Sequence, residues 1–194
     1  DGKFYAIRKS LYQPIDPYAT DDLFSCLSVV SQGFKFIFEP KALARIKTPS
    51  RTPEHEIRRR RRIVSRSLHG IYTHKQIANP FKYGFYALGL VINKILRRCI
   101  PLFLLGLLIS SLILSLVYAY MLTILCLQLI FYASVLCYPL SKQLETDSNL
   151  LLTFKRIISV TTYFTLGNIG TLLGVIDFIK GKKINKWTPL KENV

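Results

Sequence analysis

The chain has 194 residues, half of them hydrophobic, with a formal net charge of +16. The two properties occupy different regions: residues 1–100 carry 19 basic and 7 acidic side chains, whereas residues 101–194 carry 8 and 4. The uncharged run from Leu102 to Ser141 excludes a purely water-soluble protein, and four scattered cysteines (Cys26, Cys99, Cys126 and Cys137) exclude a disulfide framework.

In chain order, no targeting signal opens the sequence, and its first residue is Asp1 rather than Met, which reads as a chain lacking its N-terminal part. Residues 3–9 have a strand pattern, followed by the turn-rich "LYQPIDP". Thr20 is placed to cap a helix whose apolar positions are Leu23, Phe24, Leu27 and Val30, with Gly33 as its stop. "FKFIFEP" alternates Phe34, Phe36 and Phe38 and predicts a strand closed by Pro40. "KALARIK" predicts an extended segment and "TPSRTP" a polar linker. Strand, helix and strand within about forty residues predict a fragment of an α/β domain.

A helix is predicted from Glu54 to about Thr73, carrying Arg58 to Arg62 and then Arg66. A second runs from about Lys82 to Cys99, with Phe85, Leu88, Ile92 and Ile95 on one face, as suits a helix lying in the membrane interface. Pro101 is expected to end it and begin the first span. The forty residues from Leu102 to Ser141 give about 60 Å of helix, enough for two crossings of a hydrocarbon core about 30 Å thick. Ile157 to Ile176 supplies a third candidate, bounded by Lys155, Arg156 and Asp177. A cytoplasmic start and three crossings would put the C-terminus outside, whereas the lysines of "KGKKINKW" favour the inside, so two or three spans remain open.

Two groups of residues could carry chemistry. Asp21 and Asp22 open a helix, where its dipole favours carboxylates by about 0.3–1 kcal/mol each; a carboxylate at such a junction can also act as a general base. Five consecutive arginines cover every face of a helix, but Arg59 and Arg62 share one by the i, i+3 rule. Guanidinium forks suit a diphosphate, and they equally suit anionic lipid or nucleic acid. His69 and His74, five residues apart, fall on different helical faces, so with His55 they make no metal site. The aromatic residues are not interleaved with the arginines, which argues against nucleic acid as a partner.

In order, "GKFYAIRKSLY", "TDDLF", "GFKFIFEPKALA", "RRRRRIVSR" and "NPFKYGFYALGLVINKILRRCIPLF", followed by multiple spans and a "KWTP" tail, resemble the C-terminal half of a membrane-bound family 2 glycosyltransferase. This is the inverting GT-A group that includes cellulose, hyaluronan and poly-N-acetylglucosamine synthase-like proteins. The resemblance implies that Asp22 is the catalytic base and Asp21 supports it. The family's Gln-x-x-Arg-Trp motif falls on Arg59 to Ile63: Arg62 matches, Arg59 replaces the glutamine, and Ile63 stands where a tryptophan contacts the acceptor. Arg59 and Arg62 are thereby implied in diphosphate binding, and Phe4, Tyr5 and Ile63 in acceptor binding. An acid often follows "ALA" in the family, where this chain has Arg45, Ile46 and Lys47.

The resemblance further implies a nucleotide-sugar donor, a glycan or lipid-linked acceptor, membrane lipids as partners, and a divalent metal (Mg or Mn) held by an Asp-x-Asp motif that this sequence lacks. The fold expected is an α/β fragment, the C-terminal part of a GT-A domain, followed by interfacial helices and two or three transmembrane helices. It divides into the catalytic-domain part (1–50), the arginine and interface helices (51–100), the transmembrane region (101–180) and a basic tail (181–194). The location implied is a multi-pass cell-membrane protein with a cytoplasmic catalytic part, inactive as this chain alone. The alternative is a non-enzymatic membrane protein whose basic module binds anionic lipid or a partner.

Overall fold

The computed structural model describes residues 5–37, 39–43, 53–143 and 148–184, with the backbone alone for residues 53 and 54. The described elements are helical: α1 (Asp21–Ser31), α2 (Pro53–Thr73), α3 (Pro80–Leu90), α4 (Arg97–Ser115), α5 (Ala119–Ala133), α6 (Tyr138–Gln143) and α7 (Asn149–Ile179). A π-helical turn, Val91–Leu96, joins α3 to α4, and short 3-10 turns precede α1, α3 and α6.

No strand forms among the described residues, so the expected α/β fragment is corrected to an all-helical arrangement. Residues 5–8 are irregular and lead into a 3-10 turn at Lys9–Leu11, and Phe34–Ile37 has no regular structure. A strand satisfies its backbone groups only against a neighbour, and here both segments are held by α1 instead. Tyr5 places its hydroxyl 3.4 Å from Ser25 Oγ, Ser28 donates to Gln13 Oε1 at 2.8 Å, and Gln32 donates to the Leu11 carbonyl at 3.0 Å. Phe36 packs against the core while Ile37 is 79% exposed. Phe4, Phe38, most of "KALARIK", the linker from 48 to 52 and the "KWTP" tail lie outside the described residues.

The chain separates into two compact units. The first comprises residues 1–50, 61–97 and 174–194. Its core joins Leu27 and Val30 of α1, Ile71 of α2, Ile77 of the 3-10 turn before α3 and Leu90 of α3, with Leu23, Phe36, Tyr83 and Ile95 packed around them. The α1 stripe anticipated from the sequence is thus the face that is buried, and the helix ends just before Gly33, whose φ is 86°. Phe24 meets His74 edge-on at 4.8 Å between ring centroids. α2 lies against the end of α7 at Gly174, where an added Cβ would come within 2.6 Å of the Arg61 carbonyl oxygen and 2.8 Å of Val64 Cβ. Only glycine permits that approach.

The second unit comprises residues 51–60 and 98–173. Its helices meet through small polar contacts: Ser111 with Gln128 at 3.4 Å, Ser134 with Thr161 at 2.9 Å, and Tyr138 with Tyr163 at 3.3 Å. Most of its leucines and isoleucines point outward. An apolar cleft is lined by Pro101, Leu104, Leu108, Phe164, Ile169 and Leu172, among others.

Three helical stretches are long and apolar enough to cross a membrane: Pro80–Ser115, Ala119–Gln143 and Asn149–Ile179. Two boundaries differ from expectation. Pro101 does not end a helix; it lies inside α4, in the turn that follows Arg97–Ile100. The third stretch continues through Lys155 and Arg156, because hydropathy marks where a helix can meet lipid and not where its hydrogen bonds stop. Within α3, Gly84 adopts φ 54° and ψ −136°, kinking the helix in a conformation that side chains with a Cβ avoid. Of the face expected to carry Phe85, Leu88, Ile92 and Ile95, the first three are exposed, with Phe85 at 91%, as a lipid-facing surface requires, whereas Ile95 packs against the core.

Candidate functional site

The acidic pair occupies the first turn of α1. Thr20 is the N-cap residue by backbone geometry, with its carbonyl accepting the Phe24 N–H at 2.9 Å, but its side chain makes no capping bond. Asp22 contributes a local one, Oδ1 accepting the Leu23 N–H at 2.8 Å. Both carboxylates are exposed, Asp21 at 74%. They therefore stand at the positive end of the α1 dipole and face solvent.

A guanidinium of α2 reaches this corner. Arg66 donates through Nε to the Ala19 carbonyl at 3.0 Å and a second time through Nη2, and the same Nη2 lies 3.9 Å from Asp21 Oδ1. Ala19 is fully buried, and a Cβ added at Gly70 of α2 would lie 3.5 Å from the Ala19 Cβ, so the loop before the acidic pair sits close against the arginine helix as well as being hydrogen-bonded to it. Arg62 is partly exposed one turn earlier on α2, and Ile63 is exposed beside it. Tyr5 lies against Ser25 of α1, its ring 6.3 Å from that of Phe36.

Asp21, Asp22, Tyr5, Arg62, Ile63 and Arg66 thus belong to one unit. Arg59 belongs to the other, where with Arg60 it pairs with buried Glu56, at 3.3 and 2.8 Å respectively. Burial pushes the Glu56 carboxyl up, and the two guanidiniums more than offset this, leaving it below its ordinary range. Phe4 lies outside the described residues. A cavity in the first unit is lined by Arg8, Val29, Phe34, Lys35 and Phe36 among others; among the described residues, Asp21, Asp22, Tyr5, Arg62 and Ile63 are not in its wall.

Two residues at this site carry more than the sequence reading gave them. Arg66 was noted only as following the arginine run; its spacing of four from Arg62 puts it on the same stripe of α2. Asp177 served only to bound a span, yet it is buried and forms a two-pronged ion pair with Arg61, one arm 2.7 Å long. The available signal was a lone acid between Ile176 and Phe178 at the end of an apolar run.

The resemblance assigns its divalent metal to an Asp-x-Asp motif that is not in this sequence. No group of three or more His, Cys, Asp or Glu side chains converges among the described residues. In general an exposed carboxylate can accept a proton and a guanidinium can bind an anion. No family model, curated protein or solved structure matches the chain.

Proposed function

We propose that this chain supplies the acceptor-side catalytic groups and the membrane anchor of an inverting glycosyltransferase, which moves a sugar from a nucleotide-sugar donor to a glycan or lipid-linked acceptor at the cytoplasmic face of the cell membrane. In this reading the Asp22 carboxylate takes the proton of an acceptor hydroxyl. The acceptor oxygen attacks the anomeric carbon as its bond to the diphosphate breaks, and configuration inverts. Arg62 stabilises the charge that develops on the departing diphosphate, and Asp21, beside Arg66, supports the base. Tyr5 and Ile63 lie toward the acceptor.

The observation that carries the proposal is the meeting of two distant parts of the sequence: Arg66 of the arginine helix stands at Asp21, at the solvent-facing start of α1. Three apolar helices in the same chain agree with action at a membrane. The second reading, a basic module that binds anionic lipid, is favoured by the outward apolar face of α3 beside Lys82 and Lys94.

Arg62→Ala in the intact membrane-bound protein separates the two. The enzyme reading predicts weakened nucleoside diphosphate binding with vesicle affinity nearly unchanged. A lipid module loses affinity for phosphatidylserine vesicles by about 1 kcal/mol per arginine removed, with no effect on a nucleotide, and that result would overturn the proposal.

A further inference from the structure

Hydropathy alone counts three crossings, which would put the two ends of the apolar region on opposite sides of the bilayer. The contacts of the first unit disagree. At the entrance, Leu90 of α3 is part of the core formed with α1 and α2, Ile95 packs against it, and Tyr86 lies 3.5 Å from Cys26 of α1. At the exit, Gly174 lies against Arg61 and Val64, Asp177 pairs with Arg61, and Phe178 stacks edge-on to His69 at 5.0 Å and Tyr72 at 6.3 Å. Just beyond α7, Lys183 places its ammonium 4.9 Å from the ring of Tyr18, two residues before the N-cap of α1.

These contacts bind both ends of the apolar region to the same segment of α2 and to α1. Three complete crossings would separate Asp177 from Arg61 by the bilayer thickness of about 30 Å. A charged helix such as α2 cannot bridge that distance through hydrocarbon, where each unpaired charge costs several kcal/mol. We infer that the chain between Arg97 and Gly174 completes two crossings, one of the three apolar helices turning back or lying in the interface. Lys180, Lys182 and Lys183 therefore share a side with Asp21, Asp22 and Arg66. That side is cytoplasmic, because Lys94, Arg97 and Arg98 flank the entrance, the three lysines flank the exit, and residues 116–118 between α4 and α5 carry no charge. The inference does not depend on any catalytic role.

Cysteine labelling of the intact protein tests it. Lys75→Cys, Lys182→Cys and Val117→Cys, each introduced with the four native cysteines replaced by serine, are treated with a membrane-impermeant maleimide in sealed vesicles of both orientations. The expected result is that positions 75 and 182 react in inverted vesicles only, and position 117 in right-side-out vesicles only. Labelling of 75 and 182 from opposite sides, or of all three from one side, would overturn the inference. Should the cysteine-free chain fail to fold, trypsin applied to sealed inverted vesicles of the unaltered protein asks the same question. Cleavage is expected both around Arg58–Lys75 and at Lys180–Lys183, and protection of either region alone contradicts the proposal.

Discussion

The two units of this protein are held together differently: an apolar core joins α1, α2 and α3 in the first, and small polar contacts link helices of the second. In the first, Leu27 and Ile77 are fully buried, while Asp21, Asp22 and Lys75 are exposed, the pattern of a domain folded in water. In the second, Ser111, Thr161 and Thr162 are buried while Leu105, Leu112, Leu127 and Ile130 point outward. The hydrophobic effect drives the first arrangement and has no purchase on the second, where lipid tails are as apolar as leucine and helices associate through close packing and small hydrogen bonds. The same residue type should accordingly have different energetic meaning in the two regions.

The largest contrast is expected from leucine truncation. Leu27→Ala should destabilise the first unit by about 2–5 kcal/mol, seen as a lowered melting temperature, whereas Leu127→Ala should leave it nearly unchanged. Equal losses at both positions would break the contrast. Charging the outward face should do the reverse: Leu127→Asp is expected to cost about 2.5–3.5 kcal/mol in membrane insertion, measurable as the integrated fraction of newly made chains. A smaller effect comes from the close approach of α7 to α2. Gly174→Val forces a Cβ against the Arg61 carbonyl and should cost about 1–3 kcal/mol, with Gly106→Val, where nothing crowds the site, as the control.

The smallest effect is a pH dependence at Glu56. Its folded-state carboxyl titrates below the ordinary value of 4.5, so the stability it supplies is present above that pH and is lost as pH falls through the lower folded value. The difference in melting temperature between the wild type and Glu56→Gln should therefore be present at neutral pH and shrink below about pH 4.5. A difference that persists or grows in acid would remove the charge pairing from the account.

How much of this was legible depended on whether a feature is local. The α1 stripe, the extent of α2 and the outward positions Phe85, Leu88 and Ile92 follow from 3.6-residue periodicity and were readable, whereas Ile95, expected on the same face, turns into the core. The strands were misread because alternation in "FKFIFEP" signals two-sided packing and not the presence of a partner strand; Phe36 satisfies it by packing against the helical core. Pro101 was misread because a proline removes one backbone hydrogen bond without having to end a helix, and α4 runs through it from Arg97 to Ser115. Within the candidate site, the acidic pair and the arginine helix were visible as residues. That Arg66 is the guanidinium at Asp21, and that Asp177 occupies Arg61, depended on contacts spanning 45 and 116 positions, which no local pattern encodes.

The most direct test of the catalytic proposal is sugar transfer by the intact membrane-bound protein carrying Asp22→Asn. Removing a general base should lower turnover by about 10²–10⁴-fold, with insertion and melting temperature unchanged and a smaller loss in Asp21→Asn. Turnover at the wild-type rate in a folded, inserted Asp22→Asn protein would contradict the account.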